Sequence, residues 1–263
     1  MSGRPQWVQH PLTALVFAAC GTWLLLCGYL YWQQRALIYF PQFTRLDAAK
    51  TDFTLEREGV TLRGWVVNPG AGDPLLYFGG NAERIESSRA TFATLFPQRT
   101  VYLMAYRGYG ASDGEPQADA LVADAVALYD QVLARHPGRP VAVIGRSLGS
   151  GVASQLAARR PLERLALVTP FDDLATPAAD RFPYVPVRWL LREHLDSATA
   201  LRGFHRPTLI VQAGRDDVIP AHSTEALIAA LPSPPRHVRI AQADHNDIDA
   251  HSDYAQALSE FFR

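Results

Sequence analysis

Residues 145–149 read Gly-Arg-Ser-Leu-Gly, a G-x-S-x-G pattern with a serine at its centre. An apolar run at 140–144 precedes the pattern, and small residues at 149–153 follow it. This context predicts a buried strand that turns sharply at Ser147 and continues at once as a helix. The glycines are expected where the strand and helix backbones come too close for side chains. Because such a turn exposes the serine hydroxyl, we predict that Ser147 is a nucleophile.

A serine hydroxyl is a weak nucleophile unless a base and an orienting acid accompany it. The later apolar segment 207–213 is typical of a buried strand and is followed by Asp216, and the next expected strand, 237–241, leads to His245. The carboxyl ends of parallel strands meet at one edge of a sheet. We therefore predict that Ser147, Asp216 and His245 form a catalytic triad in which His245 is the general base.

The identity of the acid stays open at the level of the sequence. Asp217 adjoins Asp216, and Asp172 and Asp173 follow another apolar segment at 165–168. The base is better defined, because the chain contains a single lysine that could replace a histidine in this role. Asp216 is the preferred acid, and the other three carboxylates are its alternatives.

Acyl chemistry also needs hydrogen-bond donors for the oxyanion that forms when a serine attacks a carbonyl. One donor is expected to be the backbone N–H of Leu148, the residue after the nucleophile. The other comes from the loop after the third strand, here an apolar segment at 75–78 followed by Gly-Gly-Asn at 79–81. We predict that the Asn81 N–H is this second donor. The competing interpretation is an ordinary Gly-Gly-Asn turn.

Several further motifs give the chain a resemblance to a known family. They are IYFP at 38–41, YFGGNAE at 77–83, YRGYGASDG at 106–114, TPF at 169–171 and DHND at 244–247. From about residue 37 to its carboxyl end, the chain resembles bacterial BEM46-type α/β-hydrolases, relatives of the animal ABHD12, ABHD13 and ABHD17 groups. Many relatives have His-Gly-Asn where this chain has Gly-Gly-Asn. The resemblance implies a Ser-Asp-His hydrolase of esters or thioesters that requires no cofactor.

The resemblance and the alternation of strand and helix patterns predict an α/β-hydrolase fold, with a mostly parallel eight-stranded sheet flanked by helices. Residues 51–67 are expected to form a hairpin around Glu58 and Gly59. The one sizeable insertion, about 171–200, falls where this class carries a cap, between the sixth and seventh strands. Its aromatic and aliphatic residues fit two interpretations. One is a small cap that lines an acyl pocket or faces a bilayer, and the other is an ordinary helix packed on the sheet.

Residues 12–32 carry no charge, and the run is long enough to cross a bilayer, with aromatic residues near its ends. We predict a transmembrane helix at about 12–32 within an N-terminal anchor, 1–36, that precedes a hydrolase domain, 37–263. The alternatives are a cleaved signal peptide, a degenerate lipoprotein site ending at Cys20, and a buried helix of the hydrolase domain. The expected location is the cell membrane, with a single pass and with the side of the catalytic domain left open.

Composition narrows the function further. The formal net charge of −1 argues against nucleic acid as a partner. Because no metal-ligand or phosphate-loop spacing is found, we expect neither a metal nor a cofactor. The sequence predicts a membrane-associated serine hydrolase whose substrate is an ester, a thioester or a lipid. A serine peptidase of the same fold and a catalytically silent, membrane-anchored binding protein are the alternatives.

Overall fold

A computed structural model describes residues 11–263, so the first ten residues of the predicted anchor lie outside this range. The first element within it is the helix α1 (Pro11–Ile38), which contains most of the segment predicted to cross a membrane and continues past 32 to Ile38. Its 28 residues extend over roughly 42 Å. By length and composition α1 can cross a membrane, and most of its apolar side chains are exposed.

One eight-stranded sheet forms the centre of the described chain. Its strands are β1 (Phe53–Arg57), β2 (Val60–Val67), β3 (Asp73–Phe78), β4 (Arg99–Met104), β5 (Ala142–Arg146), β6 (Leu165–Val168), β7 (Thr208–Ala213) and β8 (Arg236–Ile240). The order across the sheet is β1-β2-β4-β3-β5-β6-β7-β8. All pairings are parallel except those of β2 with β1 and with β4. The predicted fold class is therefore confirmed.

The burial of each strand follows from its place in the sheet. The strands β3 to β7 are almost wholly buried, as expected for parallel strands covered on both faces. In contrast, β1 alternates between buried and exposed residues. Glu58 and Gly59 join β1 to β2 with φ angles of 51° and 80°, the left-handed conformation that a two-residue hairpin loop requires. The hairpin thus forms at the turn that the sequence predicts.

Helices flank the sheet, four in the crossovers between parallel strands and the last, α9, after β8. They are α2 (Arg89–Leu95), α3 (Ala118–Arg135), α4 (Leu148–Ala157), α8 (Ala221–Ala230) and α9 (Ser252–Phe261). Helix α3 packs against α4, and α2 packs against α9. Leu121, Ala125, Leu128 and Val132 of α3 are all buried and share the stripe that their spacing predicts.

Residues 171–200, which we call the cap, lie between β6 and β7. They contain three short helices, α5 (Ala175–Arg181), α6 (Val187–Leu190) and α7 (Ser197–Ala200). Helices α5 and α6 pack against each other, whereas α7 packs against α4 and α8. Tyr184 and Trp189 leave 85% and 89% of their surfaces exposed. One end of the cap therefore packs on the hydrolase fold, and the other presents large aromatic side chains outward.

Hydrogen bonds join α1 to the cap along much of the helix. The indole Nε1 of Trp23 donates to the backbone oxygen of Tyr184 at 2.8 Å. The amide of Gln34 donates to the Leu190 carbonyl at 3.3 Å and accepts from the Arg192 N–H at 2.7 Å. These contacts fix one side of α1 against the cap over about three turns.

A buried carboxylate holds the C-terminal end of α1. The side chain of Glu193 is 1% exposed and accepts hydrogen bonds from Arg35 Nε at 2.7 Å, Tyr39 OH at 2.8 Å and the Ala118 N–H at 2.6 Å. Burial alone would raise the pKa of Glu193, but the hydrogen bonds from Arg35, Ala118 and Tyr39 outweigh it and hold the pKa below its ordinary value. Glu193 therefore joins α1, the cap and α3 as a charged group.

Replacing Glu193 by glutamine is expected to lower the free energy of unfolding at pH 7 by about 2–3 kcal/mol, because charge-assisted hydrogen bonds are lost and a donor is left unpaired. Since folding lowers the pKa of Glu193, its stabilisation is complete above the ordinary value of 4.5 and is lost as pH falls through the folded-state pKa. The difference between wild type and Glu193→Gln should therefore be smaller at pH 3 than at pH 7.

Denaturant unfolding of the full chain in detergent measures both effects. Glu225→Gln, at an exposed carboxylate on α8, is the matched control and should change the free energy of unfolding by less than about 0.5 kcal/mol at either pH. An equal loss for Glu193→Gln at both pH values would show that the charge of Glu193 is not what stabilises the contact.

Candidate active site

Ser147 lies on a sharp turn between β5 and α4, with φ of 49° and ψ of −117°. This conformation is strained for a residue other than glycine and persists only where the surroundings enforce it. A Cβ atom on Gly145 would lie 2.3 Å from the Gly149 carbonyl oxygen, and one on Gly149 would lie 2.1 Å from the Phe78 carbonyl oxygen. Side chains are therefore excluded at both positions, as the sequence pattern predicts.

The structure brings Ser147, His245 and Asp216 together. The Oγ atom of Ser147 lies 2.8 Å from His245 Nε2, and His245 Nδ1 lies 2.9 and 3.0 Å from the two carboxylate oxygens of Asp216. Backbone N–H groups of Val218 and Ile219 donate to Asp216 Oδ1 at 3.0 and 2.7 Å. The side chains of His245 and Asp216 are 8% and 7% exposed. This arrangement can pass a proton from the serine to the imidazole and stabilise the resulting charge.

The three alternative carboxylates are placed differently from Asp216. Asp217 lines the cavity in front of Ser147, but Asp216 is the residue that contacts His245. Asp172 accepts a hydrogen bond from the Ser223 hydroxyl, and Asp173 lies beside Arg188. The geometry therefore favours Asp216 as the acid.

The two residues whose backbone N–H groups are predicted as oxyanion donors line the same cavity as Ser147. The cavity has a volume of about 500 Å³, and both Asn81 and Leu148 line it. Within residues 11–263, no protein group accepts a hydrogen bond from the backbone N–H of either residue. The neighbouring Gly80 N–H differs, because it donates to Glu83 Oε2 at 2.6 Å. The structure thus leaves free the two N–H groups that the sequence predicts as oxyanion donors.

The side chain of Asn81 has a second role that the sequence analysis missed. Its Nδ2 donates to the Ile38 carbonyl oxygen at 2.5 Å, at the end of α1. Its Oδ1 accepts from the Phe40 N–H at 3.1 Å and from Tyr109 OH at 2.6 Å. The loop that carries the candidate oxyanion donor is therefore clamped to the C-terminal end of α1.

Arg146, the variable residue before Ser147, was also missed. Its mostly buried guanidinium donates to the Asn246 carbonyl at 3.2 Å and lies 3.7 Å from Glu83 Oε2 and 3.6 Å from Asp249. Burial alone would lower the pKa of Arg146, but the carboxylates of Glu83 and Asp249 raise it above its ordinary value. Arg146 therefore stays charged and ties the serine turn to the loop of His245.

Glu83 completes this set of contacts. One of its oxygens accepts from the Gly80 N–H, and the other accepts from Tyr77 OH at 2.5 Å. Through Arg146, Glu83 connects the loop that carries Asn81 to the serine turn. Glu83 lies in the motif YFGGNAE, but neither its type nor its spacing marks it as part of a site.

No group of three or more metal-ligating side chains that could hold a metal ion occurs within the part of the chain that the structure describes.

Comparisons with known proteins show which family the chain belongs to. The family model described as "Serine aminopeptidase, S33" matches residues 75–200. An uncharacterized protein of Mycobacterium tuberculosis is 36% identical over 233 residues, which cover 83% of each chain. Protein bem46 of Schizosaccharomyces pombe is 26% identical over 273 residues, which cover 93% of this chain and 90% of that protein.

Solved structures show the same fold. The esterase Pf2001 of Pyrococcus furiosus aligns with a TM-score of 0.66 and 16% identity, over 80% of this chain and 90% of its own. A bacterial membrane phospholipase A aligns with a TM-score of 0.63 and 18% identity, over 95% of this chain and 96% of its own. The fold and the matches define an α/β-hydrolase. Within that class, the chain belongs to the BEM46-type family.

The close approach at the serine turn makes a sharp prediction. Gly149→Ala should lower the free energy of unfolding by about 3 kcal/mol or more, because the new Cβ would meet the Phe78 backbone, which cannot move without shifting β3. Gly203→Ala is the control, since a Cβ there meets nothing within 4 Å. Thermal unfolding of both variants in detergent measures the difference. Equal stability of the two variants would show that the turn has more room than the geometry allows.

Proposed function

We propose that this protein is a serine hydrolase that cleaves carboxylic ester or thioester bonds through a Ser147–His245–Asp216 triad. The observation that carries the proposal is the unbroken chain of hydrogen bonds from Ser147 Oγ through His245 to Asp216, at the base of a cavity with two free N–H groups. An activated serine beside paired donors is the arrangement that acyl transfer requires.

In the first step, Ser147 Oγ attacks the substrate carbonyl carbon while His245 Nε2 takes the hydroxyl proton. The N–H groups of Leu148 and Asn81 donate to the oxyanion that develops. When the intermediate collapses, the bond to the alcohol or thiol breaks, and the leaving group takes the proton from His245. Asp216 holds the imidazole in the required tautomer and stabilises its charge throughout.

In the second step, water attacks the acyl group on Ser147, with His245 Nε2 as the base. The acid is released, and the proton returns to Ser147 Oγ. In both steps the transferred proton passes through His245, and the two backbone N–H groups stabilise the oxyanion. Removing one oxyanion donor typically costs about 3–4 kcal/mol of transition-state stabilisation, so both N–H groups matter to the rate.

We further propose that α1 anchors the protein in the cell membrane. The outward side chains of α1 are apolar and exposed, an arrangement that water disfavours and a bilayer favours. Trp23, Gln34 and Arg35 each bond to the cap or to Glu193, which supports a retained helix rather than a cleaved signal peptide. The structural similarity to a membrane phospholipase A is consistent with a lipid ester as substrate.

A peptidase is the second candidate, because the matching family model is described as a serine aminopeptidase. An aminopeptidase binds the charged amino group of its substrate, and Asp217 is the only carboxylate among the residues that line the described cavity. The remaining lining is largely apolar, with Phe171, Leu174 and Ile219 among it. This lining favours an acyl group over a peptide amino terminus.

Labelling with a fluorophosphonate probe tests whether Ser147 is activated. We expect the wild type in membranes to label and Ser147→Ala and His245→Ala to remain unlabelled, while Ser233→Ala, at an exposed loop serine, labels normally. Parallel assays with p-nitrophenyl esters and aminoacyl p-nitroanilides then separate an esterase from a peptidase. A folded wild type that neither labels nor hydrolyses any of these substrates would favour the catalytically silent binding protein.

Paired substitutions identify the acid. Asp216→Asn should lower kcat by about 10⁴-fold, because the His245 ring loses the carboxylate that sets its tautomer and stabilises its charge. Asp217→Asn is the matched control and should leave kcat within about threefold of wild type, since Asp217 does not contact His245. The reverse order of effects in ester hydrolysis would move the acid to Asp217.

A further inference from the structure

A second cavity lies between α1 and the cap. Its volume is about 210 Å³, and most residues that line it are apolar, among them Leu30 and Leu37 from α1 and Phe182, Val185 and Val187 from the cap. Tyr31, Gln34 and Arg181 are the polar exceptions in this lining; the Gln34 amide is occupied by backbone groups of the cap and of α1 itself, and Arg181 lies where the cavity meets the catalytic cavity. We call this cavity the groove. Its lining offers an occupant contacts with hydrocarbon.

The groove adjoins the catalytic cavity. Leu37, Ile38, Ala178 and Arg181 line both spaces. From Leu30 to Ile38 the groove follows α1 over roughly 12 Å. Beyond Ile38, the catalytic cavity continues to Asn81 and Ser147. An extended chain in the groove would therefore have one end beside Ser147 and the other beside Leu30, in the last third of α1.

The far end of the groove lies at the level of the apolar part of α1. The hydrogen bond from Trp23 to Tyr184 fixes the tip of the cap beside the centre of that helix. Tyr184 at this tip is almost fully exposed, as is Trp189 on α6, so the cap offers large apolar surfaces to its surroundings. With α1 in a bilayer, the cap tip enters the same leaflet, and the groove borders on lipid.

We propose that the groove holds the acyl chain of a bilayer lipid ester that enters sideways from the leaflet, with its carbonyl at Ser147. This inference rests on the proposed serine hydrolase function and names its substrate class. An acyl chain matches the apolar lining, the elongated course along α1 and the junction with the catalytic cavity. An entrance that borders on lipid is reached from the bilayer, so it favours a bilayer lipid over a substrate dissolved in water.

The reaction then runs as follows. The bond between Ser147 Oγ and the acyl carbon forms, the acyl–oxygen bond of the lipid breaks, and the lysolipid alcohol leaves with the proton that His245 carried. Water then adds its hydroxyl to the acyl carbon, the bond between the acyl carbon and Ser147 Oγ breaks, and the remaining proton of the water passes through His245 to Ser147 Oγ. A fatty acid is released, and its chain can return along the groove to the leaflet.

Photo-cross-linking tests the groove without relying on catalysis. The full-length Ser147→Ala protein is placed in dioleoylphosphatidylcholine vesicles that contain phosphatidylcholine with a diazirine near the end of one acyl chain. We expect cross-links at Leu30 and Val185 inside the groove, in addition to the outer face of α1. Cross-links confined to outward residues such as Leu15 and Leu25 would overturn the proposal.

Chain-length dependence tests the groove in the active protein. Val185→Trp fills the groove away from Ser147, so the rate ratio of laurate to butyrate ester hydrolysis should fall about tenfold or more, because each buried methylene contributes roughly a factor of four. Leu133→Trp, on the exposed side of α3, is the control and should leave the ratio unchanged. An unchanged ratio in a folded Val185→Trp would overturn the groove.

Fluorophosphonate labelling and photo-cross-linking together distinguish failure of this proposal from failure of the proposed hydrolase function. Failure of the wild type to react with a fluorophosphonate, together with groove cross-links in Ser147→Ala, would overturn the proposed hydrolysis and leave the groove as a lipid-binding site. Normal labelling of Ser147 with no cross-link in the groove would leave the hydrolase intact and exclude this route for its substrate.

Discussion

The contact between the serine turn and the end of β3 is the constraint on which the site depends. A Cβ on Gly149 would lie 2.1 and 2.7 Å from the carbonyl oxygens of Phe78 and Gly79, so the start of α4 is pressed against the loop that carries Asn81. The N–H groups proposed as oxyanion donors therefore sit on backbone segments that touch. Donors fixed in this way need no reorganisation as charge develops on the substrate.

Polar contacts fix the positions of the other loops of the site relative to this contact. Arg146 extends β5 toward the loop of His245 and lies close to Glu83, which holds the Gly80 N–H. Buried charges interact strongly because little water screens them, but each would be costly without its partner. The same residues that fix the geometry therefore make it cooperative, since disturbing one loop leaves a buried charge in another unsatisfied.

The parts of the site that could be predicted follow a local pattern. Ser147, Asp216 and His245 each come after a strand, and the alternation of strands with helices also predicts the sheet. The side-chain contacts of Asn81 and Arg146 leave no such pattern, because their partners lie 43 and 100 residues away along the chain. From composition alone, the membrane helix is predicted to end near residue 32. In the structure, Gln34 and Arg35 continue it by bonding to the cap and to Glu193.

Hydrogen bonds attach α1 to both sides of the catalytic cavity. Trp23 and Gln34 bond to the cap, and the Ile38 carbonyl at the end of α1 accepts from Asn81. A tilt of α1 in a bilayer would have to break hydrogen bonds or carry the cap and the loop with it. The depth of α1 therefore sets the height of Ser147, which lies beyond the end of the helix. Lipid ester carbonyls lie between the hydrocarbon and the headgroups. With α1 in a bilayer as proposed, a site at the end of α1 meets these carbonyls at that level while the lipid chains remain among apolar side chains.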